Sequence, residues 1–130
     1  MINDIVADGL TRIRNAAVRK LDTTVLAHSR LIESVVGILK DKGYIDSYKV
    51  IGENIKTLKV VLKYDENSNT VLNELKKISK PGRRVYKPCD EIKSFKNGYG
   101  SFIISTSQGV LSNDEAYKLG IGGEVIASVW

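Results

Sequence analysis

A chain of 130 residues, 42% hydrophobic and 27% charged, can close one ordinary core or two small lobes and is too short for most multi-domain enzymes. Its formal net charge of +5 suits a polyanionic partner without requiring one. With Cys89 alone and His28 the only histidine, an internal disulfide and a four-cysteine zinc site are both excluded.

Residues Asn3 to Arg19 predict a helix. Ile2, Ile5, Val6, Leu10, Ile13 and Ala17 recur at helical spacing, and Asp8, Arg12, Asn15 and Arg19 fall on the opposite face. Thr23 to Leu26 is a short β-prone run. Ser29 then reads as the N-cap of a second helix carrying Ile32, Val35, Val36 and Leu39, stopped by Gly43. Tyr44 to Ile51 and Lys56 to Tyr64 predict an antiparallel hairpin around Gly52-Glu53-Asn54, with Leu58, Val60, Leu62 and Tyr64 on one face. The polar run Asp65 to Thr70 places a lobe boundary near residue 68. Beyond it, Val71 to Ser79 is compatible with helix or strand. Pro81-Gly82 signals a turn, and Arg83 to Lys87 is β-prone. Asp90 to Asn97 reads as irregular or briefly helical, and Phe102 to Ser105 as a strand. Ser112 with Glu115 makes a capping box for a short helix ending at Gly120, and Glu124 to Trp130 closes the chain as a strand. The expected class is α+β in two small lobes. Residues 1–68 form an N-terminal α/β lobe, two helices on a three-stranded sheet. Residues 69–130 form a mainly β lobe with one short helix.

Chemistry is scarce along this chain. His28, directly before a helix cap, reads as a surface loop residue, since a lone histidine with no paired base or carboxylate makes neither a catalytic base nor a metal site. Cys89 lies between Pro88 and Asp90, a setting that does not favour a thiolate. Gly120, Gly122 and Gly123 lack the third glycine of a dinucleotide fingerprint and any following Gly-Lys-Ser/Thr; they suit a tight turn or the close approach of a partner. No cofactor, metal, small-molecule substrate or membrane contact is expected. MINDIVADGL carries two aspartates and no basic leader, and no apolar run approaches bilayer-spanning length. The expected compartment is the cytoplasm.

The distribution of charge says more than its total. Residues 76–96 hold eight bases and two acids, whereas residues 97–130 hold one base and three acids. In the basic stretch Lys80 and Arg83 flank the Pro-Gly turn, and Tyr86 is interleaved with Arg84 and Lys87. Such a ring can stack on an unpaired base while the cations hold phosphate, although a solvated basic edge would look the same. In the neutral stretch Ser105, Thr106, Ser107 and Gln108 precede Gly109. Hydroxyls there can exchange hydrogen bonds with base edges and the 2′-OH.

Three motifs in register carry a resemblance. STSQGVLSNDEA (residues 105–116) followed by GIGGEV (120–125) resembles the C-terminal signature of the small-subunit ribosomal protein S-eight family. ISKPGRRVYK (78–87) is similar to its central motif, and ADGLTRIRNA (7–16) to its N-terminal helix. The resemblance covers essentially the whole chain. It implies a two-lobed RNA-binding protein of the 30S subunit that binds the central domain of 16S ribosomal RNA at an irregular stem and helps assemble the platform beside neighbouring small-subunit proteins. In some bacteria it also implies repression of the protein's own operon mRNA. Carried onto this chain, it implies that Ser105, Thr106 and Ser107 read RNA, with Tyr86 as an aromatic contact and Gly122, Gly123 and Glu124 as the adjoining turn. Glu124 would orient a hydroxyl or accept from a base amine. It further implies a second surface of Asp4, Thr11, Arg12, Arg14 and Asn15, with Arg30 and Lys56 as phosphate partners. Ile5 stands where the family usually has proline, and His28 and Arg30 also depart from its commoner residues. A DNA-binding regulator using Arg12, Asn15 and Arg19, or a small enzyme or interaction module, are the rival classes.

Overall fold

The computed structural model describes residues 5–80, 82–94 and 100–130. Two compact units divide between Asn73 and Glu74.

In the first unit, α1 (Ile5–Val18) buries Val6, Leu10, Ile13 and Ala17 as the periodicity predicts, together with Gly9 and Ala16. Ile5 is the exception, lying 37% exposed at the rim, and Ile2 falls outside the described residues. After β1 (Thr23–Ala27), Ser29 caps α2 (Arg30–Asp41) by accepting from the Ile32 amide at 3.2 Å. The left-handed Gly43 (φ 82°) follows that helix. Strands β2 (Ile45–Ile51) and β3 (Thr57–Leu62) pair antiparallel, and β1 adds to the other side of β3, giving the order β1-β3-β2. Leu58 and Val60 are fully buried on the helix-covered face. The polar run after β3 is a closed turn: the Asp65 carboxylate accepts from the Asn67 and Asn69 amides, both at 2.8 Å.

The second unit is a five-stranded antiparallel sheet. Its strands are β4 (Leu75–Lys77), β5 (Tyr86–Lys87), β6 (Ser101–Thr106), β7 (Gly109–Ser112) and β8 (Gly123–Val129). The order is β4-β8-β6-β7, with β5 also pairing with β8. Val125 to Val129 are buried without interruption, as a central strand covered on both faces requires. One short helix, α3 (Asn113–Leu119), lies against β6, and a 3-10 turn spans Cys89–Glu91. Ile92, Ile104, Ala116 and Val125 form one core cluster, with Phe102, Leu111 and Ile121 packed around them.

Four stretches sharpen or change the local expectations. The ambiguous 71–79 stretch contains a short strand, and only Tyr86–Lys87 of the β-prone 83–87 run pairs as one. Residues 109–112, to which the sequence assigned no element, form β7, because a Ser107-Gln108 connection folds the chain back on β6. Ser112 does begin α3, but makes no capping bond to the helix amides. Its buried hydroxyl donates instead to Asp114 Oδ1 (2.6 Å) and Glu115 Oε1 (2.9 Å). Two carboxylates in the first turn draw the hydroxyl proton and leave the amides to the helix-dipole effect of those charges.

Candidate nucleic-acid interface

The site is built on the register of β5, β8 and β6. Tyr86 pairs with Glu124, and Glu124 pairs with Ser105. Directly paired residues of antiparallel strands point to the same face, and neighbouring strands lie about 4.8 Å apart. An aromatic ring, a carboxylate and a hydroxyl from positions 86, 124 and 105 therefore stand side by side. Tyr86 is 68% exposed. Beyond Ser105 the strand ends in an exposed tip, Ser107-Gln108-Gly109.

The hydroxyls of that tip are not equivalent. Thr106 Oγ1 donates to the Gly109 carbonyl (2.7 Å) and accepts from the Gln108 amide (3.1 Å), so it shapes the turn. Ser105 and Ser107 make no side-chain hydrogen bond among the described residues. Glu124 Oε2 sits 3.3 Å from Arg84 Nη1, so a resident guanidinium already holds one carboxylate oxygen.

Gly122 and Gly123 serve a contact within the chain. A Cβ on Gly123 would lie 2.2 Å from the Ser105 carbonyl oxygen, and one on Gly122 would lie 2.4 Å from that of Lys87. Both neighbours are backbone, so neither can yield cheaply. These glycines are what lets β8 run tightly between β5 and β6. The partner whose backbone approaches them is the protein itself.

The basic flank is ordered by its own hairpin. Lys80 and Arg83 exchange backbone hydrogen bonds in both directions at 2.9 Å, locking the turn around Gly82. Their exposed side chains line a shallow cleft with Lys76, Lys77, Ile78 and Val85. Lys87 Nζ lies 6.0 Å from the centre of the Phe102 ring.

On the first unit, the exposed face of α1 carries Thr11, Arg12, Arg14 and Asn15. Thr11 Oγ1 donates to the Ala7 carbonyl at 2.9 Å, Arg12 pairs with Asp8 at 3.1 Å, and Arg14 reaches Thr11 at 3.4 Å. Arg30 opens α2 and Lys56 precedes β3, both exposed. Asp4 lies outside the described residues. His28 is half-buried, with Nε2 2.7 Å from Glu33 Oε1, a tether for the loop ahead of α2. Cys89 Sγ is 3.7 Å from the Tyr117 carbonyl.

The profile of the family described as Ribosomal protein S8 matches residues 4–130. The chain belongs to the ribosomal protein S8 family. It is 66% identical to the small ribosomal subunit protein uS8 of Sulfurovum sp. (strain NBC37-1), 63% to that of Nautilia profundicola and 64% to that of Campylobacter jejuni (strain RM1221). Each comparison covers all of both chains.

For this member of the S8 family, sequence reasoning missed two residues that hold the interface in shape. Ser79, 1% exposed, accepts from the Val85 amide (3.0 Å) and donates to the Val125 carbonyl (2.7 Å), stapling the strand before Tyr86 to β8. Asn113, also buried, accepts from the Phe102 amide and donates to the Ile92 carbonyl, both at 3.1 Å. Both sit in turn-rich sequence, where serine and asparagine ordinarily signal local turns. Only the long-range pairing reveals their work.

Proposed function

We propose that the chain reads ribosomal RNA through the Tyr86–Glu124–Ser105 row and the Ser107 tip. As a member of the ribosomal protein S8 family it is a structural component of the small ribosomal subunit, and ribosomal RNA is its partner. The proposed target is an irregular stem in the central domain of 16S RNA. Binding there would help organise the platform beside neighbouring small-subunit proteins in the cytoplasm. An mRNA of the chain's own operon with a similar stem is a second target of the same surface. The reading assigns no reaction to the chain and no cofactor or metal.

The observation that carries it is the strand register, which lines up three different recognition chemistries on one face. Tyr86 supplies a stacking plane, Glu124 accepts from a base amine or 2′-OH, and the Ser105 and Ser107 hydroxyls donate and accept. Thr106, Gly122 and Gly123 shape that surface. Lys80, Arg83, Arg84 and Lys87 neutralise phosphate, with Arg84 also holding Glu124. On the first unit, Asp4, Thr11, Arg12, Arg14 and Asn15, with Arg30 and Lys56, form the second RNA contact. Four to six neutralised phosphates correspond to a salt slope of about −3 to −5.

Filter binding of the full chain to the cognate stem and to plain duplex RNA tests this. Ser107→Ala should cost about 1–3 kcal/mol on the stem and narrow the ratio between the two targets. Lys80→Gln and Arg83→Gln should weaken both targets alike. An unchanged ratio in the Ser107 variant, or equal and purely ionic affinity of the wild type for stem, duplex and heparin, would overturn the reading.

A further inference from the structure

The outer face of the three-stranded sheet carries a charge pattern that the fold does not explain. Leu58 and Val60 are buried, so strand alternation turns Thr57, Lys59 and Val61 to the opposite side. The pairing adds Thr23, Val25 and Ala27 on β1 and Ser47, Lys49 and Ile51 on β2. None of these nine paired positions is acidic. In the central row Val25, Lys59 and Lys49 stand directly opposite one another, and all three are exposed. Neither lysine joins an ion pair among the described residues.

Like charges placed directly opposite across strands destabilise a sheet. Lysine on an edge strand is a common guard against aggregation, but Lys59 is on β3, the middle strand, where no edge needs guarding. A polyanion laid on the face relieves the repulsion. A protein partner fits less well, because lysine is depleted from the centre of protein interfaces and here occupies the central row. The face has no aromatic ring for stacking on a base, whereas Thr23, Thr57 and Ser47 supply hydroxyls beside the ammonium groups.

We infer that this sheet face binds the phosphodiester backbone of ribosomal RNA, at a contact separate from the strand-tip reader. The ligand class rests on the RNA-binding reading above; the surface does not. The test measures affinity of the full chain for transcribed small-subunit ribosomal RNA over a series of salt concentrations. Substituting Lys49→Gln and Lys59→Gln together should make the slope of log affinity against log salt less negative by about 1.4–1.8, the release expected for two phosphate contacts. Lys49→Arg with Lys59→Arg should restore it, and the ratio of stem to duplex RNA should not change. An unchanged slope with wild-type binding intact overturns the proposal. So does a Gln pair that leaves RNA affinity untouched yet fails to enter particles already loaded with the other small-subunit proteins, since the face then takes a protein. A wild type with no affinity for this RNA removes the functional reading as well, which separates the two failures.

Discussion

The exposed face of α1 and the tip of β6 are both rich in small polar groups, yet the two surfaces differ in what those groups have left to offer. On the helix, partners three and four residues away are always within reach. Thr11 is bonded to Ala7, Arg12 to Asp8 and Arg14 to Thr11. On the sheet, neighbours come from strands distant in sequence, and the turn consumes only Thr106, leaving the Ser105 and Ser107 hydroxyls unbonded among the described residues. A strand tip can hold donors and acceptors in reserve for a ligand, while a helix tends to spend them locally. The recognition surface should therefore depend on the geometry of the sheet far more than on the polar inventory of the helix.

The most damaging single change to that geometry is Gly123→Ala. Its Cβ would overlap the Ser105 carbonyl oxygen at 2.2 Å, and relief requires β6 and β8 to separate at the recognition row. A loss of about 2–3 kcal/mol is expected from such overpacking, together with loss of stem binding out of proportion to stability. Chemical denaturation alongside filter binding measures both. A variant with wild-type stability and affinity would show that the row tolerates a wider strand spacing.

Ser79→Ala comes next. It strips the Val85 amide of its hydroxyl acceptor and the Val125 carbonyl of a donor, at a cost of about 1–3 kcal/mol for the unsatisfied amide. Because Ser79 anchors the segment leading to Tyr86, hydrogen exchange should accelerate at Val85 before it does in the three-stranded sheet. Uniform acceleration across the chain would mean that the staple is not local.

These two residues also mark how far the sequence could be read. Helices α1 and α2 and the β2–β3 hairpin follow from spacing alone, because Ile32, Val35, Val36 and Leu39 or Leu58, Val60 and Leu62 recur at a period that only one element satisfies. The Ser105–Ser107 tip and the Lys80–Arg83 turn were legible from composition and from the family motifs. The row itself was not, since positions 86, 105 and 124 meet only through a register that no local pattern encodes. Nor was β7, whose four residues look like the rest of a turn until β6 is there to receive them. Ser112 was misread because the pattern of a capping box is present, but its hydroxyl is directed at the Asp114 carboxylate (2.6 Å) and makes no bond to the helix amides.

The smallest effect is expected on the helix side of the comparison, and it separates charge from recognition. Thr11→Ala removes an exposed hydroxyl already bonded to the Ala7 carbonyl, so stability should move by no more than about 0.5 kcal/mol and the stem-to-duplex ratio should hold. Arg12→Gln removes a cation shared with Asp8, an exposed i,i+4 pair worth only about 0.3–0.5 kcal/mol. If RNA phosphate takes over that guanidinium, the salt slope becomes less negative by about 0.7–0.9 with no loss of discrimination, measured by filter binding at several salt concentrations. A narrowed ratio in either variant would mean that α1 reads RNA features directly, and the division of labour between helix face and strand tip would have to be redrawn.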